Sequence, residues 1–196
     1  MAVPGLVDAK EKVAHLLVDL AYAGTDNFMK RNVYGKLERC FLQTEAAEML
    51  AAANTVLEKR APGIRLLAWD CARPRSVQKA MWKVVRGTPQ QSYVANPNTK
   101  TGSIHNYGCA IDLTLADARG RPLDMGTGYD HFGRKAQPRY EARLRASGEL
   151  SAEALGNRLL LREVMVRAGF YPISNEWWHF NCALPGETRA RFQPVP

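Results

Sequence analysis

Long apolar runs are missing from this 196-residue chain: stretches such as residues 16–18 and 159–161 fall far short of the roughly 20 residues a membrane-spanning helix needs. A helical membrane span is therefore excluded. Also missing is the charged, then apolar, then small plan of a secretion signal, because Lys10, Glu11, Lys12 and Asp19 interrupt the first twenty residues. The expectation is a cytoplasmic protein, or a periplasmic one whose leader has been removed. Cysteine is scarce. Cys40, Cys71, Cys109 and Cys182 form no CxxC pair, so neither a thiolate zinc site nor a redox motif is indicated, and the three in strand-like apolar stretches are expected to be buried thiols. No repeat and no Ser, Gly or Pro tract divides the chain, which reads as one domain over residues 1–196. The net charge is +8, but the basic residues are scattered apart from the arginine-rich stretch 134–145, and aromatic side chains are not interleaved with them as a stacking platform requires. No nucleic-acid partner is expected.

What is present is ordinary globular composition, with 46% hydrophobic and 23% charged residues. Thr44 reads as the N-cap of a helix ending at Arg60, before Pro62 and Gly63. Residues 64–69 suit a buried strand. Residues 76–86 suit a second helix, with Val77, Met81 and Val84 on one face. Residues 88–103 are turn chemistry. From 109 to 115 the chain alternates, placing Cys109, Ile111, Leu113 and Leu115 on one face and Asp112 on the other. Residues 116–138 form an irregular stretch long enough to be a lid or binding loop. A helix is expected over 151–168 and a strand over 176–182, with Trp177, His179 and Asn181 on one side. An N-terminal helix would carry His15. This irregular interleaving predicts an α+β fold with a central antiparallel sheet flanked by helices.

Two stretches carry chemistry, SIHNYGCAIDLTL at 103–115 and EWWH at 176–179. A catalytic zinc takes three protein ligands from imidazole and carboxylate and leaves one position open; His105, Asp112 and His179 supply that set. Positions three apart on a strand face opposite ways, so Glu176 can reach the same ion only from a bend preceding the strand. A lone His–Asp spacing carries little weight. A buried ionised Asp112 is harder to dismiss, because it is costly unless paired or bound to a metal.

Ser103, His105, Gly108, Ala110 and Asp112, followed by Glu176, Trp178 and His179, resemble the signature of the zinc D,D-peptidases. WDCARP at 69–74, DNF at 26–28 and DMGTGYD at 124–130 resemble the D-alanyl-D-alanine dipeptidase branch, so the similarity runs from about residue 18 to 182. The resemblance implies a hedgehog- or D,D-peptidase-like fold and one zinc ion per chain on His105, Asp112 and His179. It further implies Glu176 as general base and acid and Arg73 as oxyanion partner, where the plainer reading is a surface ion pair with Asp70 or Glu176. Asp130 would capture a substrate ammonium, Ser103 would help hold the carboxylate, and Tyr22 would line the amino end. His15 and His131 are expected to be bystanders, and Cys109 to pack. The implied activity is hydrolysis of a small dipeptide, D-alanyl-D-alanine, in peptidoglycan metabolism. The alternatives are a D,D-carboxypeptidase or peptidoglycan endopeptidase, or a zinc-containing binding domain without catalysis.

Overall fold

The structure, a computed structural model, describes residues 5–99 and 102–196. Its centre is a five-stranded sheet of β2 (Leu17–Val18), β4 (Arg65–Asp70), β5 (Ala110–Ala116), β7 (His179–Asn181) and β6 (Tyr171–Pro172), in that spatial order. A separate antiparallel pair joins β1 (Leu6–Asp8) to β3 (Phe41–Gln43). The helices are α1 (Thr44–Arg60), α2 (Arg75–Val85), α3 (Glu141–Ala146), α4 (Ala152–Arg167) and α5 (Pro185–Arg191). The fold is α+β, as the sequence predicts. One feature differs from the expected antiparallel sheet: β2 runs parallel to β4 at the edge.

Helix α1 buries Ala46, Ala47, Leu50, Ala53, Asn54 and Leu57, the three-and-four spacing of one helical face. It packs on α4 and on β4, while α4 also meets β5. Thr44 is the first helical residue and not its cap; its hydroxyl donates to the Gly5 carbonyl at 3.2 Å. In α2 the apolar face is Val77, Met81 and Val85, and Val84 is exposed, so the expected face is one residue out of phase at its end. The predicted N-terminal helix does not form. His15 sits at φ +58°, a left-handed conformation that breaks a helix, and Val13, Leu16 and Leu20 reach the core from irregular chain.

The cysteines correct the sequence reading most plainly. All four are oxidised, Cys40 to Cys71 and Cys109 to Cys182, with Cα–Cα separations of 5.3 and 5.1 Å. They lie 31 and 73 positions apart, and pairing at such distances cannot be deduced from spacing. The second bridge ties the chain just before β5 to the residue just after β7. Replacing Cys109 and Cys182 together by alanine is expected to lower unfolding stability by about 2–5 kcal/mol, read as a lower denaturation midpoint; an unchanged midpoint would show the bridge to be dispensable.

The segment 117–137 is irregular but anchored. Arg158, fully buried in α4, donates from Nε to the Met125 carbonyl at 2.7 Å and from Nη2 to the Lys135 carbonyl at 3.0 Å, and its guanidinium lies 5.6 Å from the Trp177 ring centre. Buried polar groups need partners; the two loop carbonyls engage Nε and Nη2, while Nη1 makes no hydrogen bond among the described residues and lies 3.5 Å from Glu141 Oε1.

Candidate active site

Three neighbouring strands set a row of polar side chains across the sheet. In the β4–β5–β7 ladder, Asp70 pairs with Asp112 and Asp112 with His179. The pleat sends alternate residues of β5 to opposite faces; Ile111, Leu113 and Leu115 are fully buried with the core, and Asp112 opens on a cavity of about 300 Å³. A register shift between Ala68 and Asp70 brings Asp70 opposite Asp112.

His105 comes from the 3-10 turn Ile104–Tyr107 just before β5. The turn closes at Gly108, whose φ of +67° suits glycine and whose absent Cβ would overlap Leu6. Asn106 fastens it: its Oδ1 accepts from the Ser103 N–H at 3.1 Å and its Nδ2 donates to the Arg73 carbonyl at 2.8 Å. Glu176 lies in the bend ahead of β7, which begins only at His179, so the strand expected from 176 is shorter and Glu176 is free to face the site.

Among the described residues, His105, Asp112 and His179 form one group whose potential ligand atoms all lie within 4.8 Å of one another. His105 Nε2 is 3.2 Å from Asp112 Oδ1 and 3.2 Å from His179 Nδ1, and the last two atoms are 2.9 Å apart. Tetrahedral zinc with bonds of 2.0–2.1 Å has ligands about 3.3 Å apart, close to this triangle. The second ring nitrogens support the same reading. His105 Nδ1 lies 2.8 Å from the Cys71 carbonyl, which can only accept, so that nitrogen carries the proton. His179 Nε2 is 2.9 Å from Asn181 Oδ1. In their neutral forms both rings therefore aim lone pairs at each other and at a carboxylate, an arrangement a cation resolves. The residues fit a metal ion.

Charge in the cavity is lopsided. Arg73 is buried against Asp70, to which it donates from Nε (2.8 Å) and Nη2, and it donates from Nη1 to Gln78 Oε1 at 2.8 Å. Asp70 also accepts from the Tyr34 hydroxyl and from the Cys71 N–H at 2.9 Å. The Arg73–Asp70 pair weighed from the sequence does exist, but it is buried, and Arg73 Nη2 still stands 3.9 Å from Asp112 Oδ2. Burial pushes Glu176 up to about 7 despite the opposing pull of His179, whose Nδ1 is 3.9 Å from Glu176 Oε2. Burial likewise pushes Asp130 up to about 7 against the hydrogen bond from Tyr22. Burial also works against charging both members of the Asp112–His105 pair, yet their mutual attraction wins, holding Asp112 well below and His105 above their ordinary values.

These shifts fix the sign of a pH effect on the metal-free chain. Between about pH 4 and 7 folded Glu176 and Asp130 keep protons that the unfolded chain has released, so stability falls as pH rises through that window. Raised His105 adds stability that is full below about pH 6.5 and lost above it, the same direction, whereas depressed Asp112 changes stability only at more acid pH. Melts in chelator are expected to give a lower Tm at pH 8 than at pH 5, and metal should reverse the trend because it needs deprotonated ligands. A flat or rising metal-free curve would refute this account.

All eight residues singled out in the sequence line this one cavity: Tyr22, Arg73, Ser103, His105, Asp112, Asp130, Glu176 and His179. Asp130, at φ +56°, accepts from the Tyr22 hydroxyl at 2.9–3.0 Å and from the Phe28 N–H at 3.3 Å. Tyr22 in turn lies under Arg73, 5.3 Å from ring centre to guanidinium. Sequence reasoning assigned no role to Tyr34, Gln78, Asn106, Tyr129 or Asn181. Asn181 carried a signal, being two residues beyond His179 on the same strand face, and Asn106 and Tyr129 lie inside the motif stretches 103–115 and 124–130.

A buried triangle of potential metal ligands with a carboxyl of raised pKa beside it, lining one cavity of an α+β fold, is the arrangement of a metal-dependent peptidase. Residues 3–192 match the D-ala-D-ala dipeptidase family of peptidases, and the chain belongs to that family. It is 34% identical over 175 residues to a D-alanyl-D-alanine dipeptidase of Escherichia coli K12, covering 89% of this chain and 83% of that protein. It is 31% identical over 177 residues to one of Enterococcus faecium, covering 83% of each, and 29% identical over 168 residues to one of Synechocystis, covering 71% of this chain and 68% of that protein.

Proposed function

We propose that the protein is a zinc-dependent dipeptidase that hydrolyses free D-alanyl-D-alanine to two D-alanines. The observation that carries this reading is the convergence of His105 Nε2, His179 Nδ1 and Asp112 Oδ1 beside a carboxyl whose pKa is about 7. Zinc held by those atoms would lower the pKa of its water and polarise the scissile carbonyl. Glu176 takes the proton of the attacking water and returns it to the leaving amine, for which a pKa near working pH is suited. The Arg73 guanidinium, fixed by Asp70 and Gln78, stabilises the charge developing on the carbonyl oxygen. Ser103 helps hold the substrate carboxylate.

Length selection follows from Asp130. Burial raises its carboxyl pKa to about 7 in the free chain, and a substrate ammonium would favour its charged form. A longer peptide would bring a neutral amide to that place and forgo the ion pair. Preference for D over L stereochemistry rests on the relatives. The two disulfides favour an oxidising compartment, so we place the enzyme outside the cytoplasm, the alternative the sequence reading ranked second.

The test is amino-acid release from D,D- and L,L-dipeptides and from longer D-Ala-D-Ala-terminated peptides, before and after chelation. D-Ala-D-Ala turnover that vanishes with chelator and returns with zinc is expected. Cleavage confined to the longer peptides would make the protein a carboxypeptidase, and turnover unaffected by metal removal would overturn the zinc assignment.

A further inference from the structure

The three-atom triangle uses only one oxygen of Asp112. Its other oxygen, Oδ2, accepts a hydrogen bond from the Tyr129 hydroxyl at 2.8 Å. Carboxylates bind metal ions through one oxygen or through both, and the second mode would fill the position that a catalytic zinc keeps open. Tyr129 has little freedom to let Oδ2 go. Its ring lies 5.3 Å from Trp69, 5.4 Å from Trp178 and 6.0 Å from Tyr22. The next residue, Asp130, is fixed by Tyr22 and Phe28. The backbone before it is held where Arg158 grips the Met125 carbonyl.

We infer that Tyr129 is a positioning residue whose hydroxyl restrains Asp112 to bind metal through Oδ1 alone, and so keeps one coordination position free for water and substrate. The inference rests on the zinc reading above. It also assigns work to the irregular 116–138 stretch: besides lining the cavity, it sets the denticity of a ligand on a strand. Such outer partners are commonly worth about 10–100-fold in metal affinity or activity.

Tyr129→Phe keeps the ring and removes only the hydroxyl. The full chain, wild type and variant, is to be stripped and reloaded with zinc under chelator competition, and with Co(II) for visible spectroscopy. The expected result is a zinc Kd about tenfold or more higher in the variant, a lower kcat with little change in KM, and Co(II) d–d bands that lose intensity as a fifth ligand atom joins. Tyr34→Phe, which removes a hydroxyl bonded to Asp70 in the same aromatic cluster, should keep the wild-type spectrum and controls for loosened packing. A Tyr129→Phe spectrum identical to wild type overturns the inference whatever the affinity does, and so does the same spectral change in Tyr34→Phe. Wild-type protein that takes up no zinc overturns the zinc reading itself; normal uptake with an unaltered variant overturns this inference alone.

Discussion

Glu176→Gln is expected to lower kcat about 10²- to 10⁴-fold, the usual worth of a general acid–base, while zinc content stays at one per chain. The substitution keeps the shape of the side chain and removes its basicity. Glu176 stands apart from the ligand triangle, 3.9 Å from His179 Nδ1, so the ligands should hold metal without it. Its raised pKa, about 7, comes first from burial, which makes it a carboxyl able both to accept a proton and to give one up near neutrality. The acid limb of the kcat/KM profile should disappear in the variant. Activity within tenfold of wild type would remove Glu176 from the mechanism, and loss of zinc along with activity would make it a ligand.

Arg73→Lys is expected to cost about 10²- to 10³-fold in kcat, as losing an oxyanion donor does. Arginine has five N–H donors, and three are engaged by Asp70 and Gln78, leaving one on each terminal nitrogen for the substrate. Lysine keeps a positive charge near Asp70 but lacks the planar fork that bonds both partners and the cavity at once. Arg73→Ala is the weaker test, because stripping the partner from buried Asp70 costs about 3–5 kcal/mol in its own right. Measuring kcat, KM and Tm for the lysine variant separates the roles. A large fall in Tm with kcat preserved would reduce Arg73 to a structural ion pair.

The proposed ligands and base were legible because they sit in short local patterns: His105 a turn ahead of a strand, Asp112 at odd parity to Ile111 and Leu113, and Glu176 three positions before His179. Strand parity alone placed Asp112 off the apolar face, and the bend required for Glu176 is present. Partners from distant chain were not legible. Nothing local says that Tyr34 will meet Asp70, that Gln78 will hold Arg73, or that Tyr129 will reach across to Asp112. The disulfides were missed for the same reason, since strands pair the cysteines only after folding. The N-terminal helix failed because Val13, Leu16 and Leu20 satisfy a helical spacing while the backbone at His15 turns the other way.

The shift in pairing between Ala68 and Asp70 has a geometric outcome for the guanidinium. On the regular part of the ladder Leu66 lies opposite Leu115 and Ala68 opposite Leu113, so uninterrupted alternation would point Asp70 in among those aliphatic chains. One additional residue, Trp69, reverses its parity and delivers the carboxylate to the catalytic side, with Arg73 attached. Without that shift the same residues would present the anion to hydrocarbon, leaving Arg73 without its anchor even though every proposed ligand remained in the sequence.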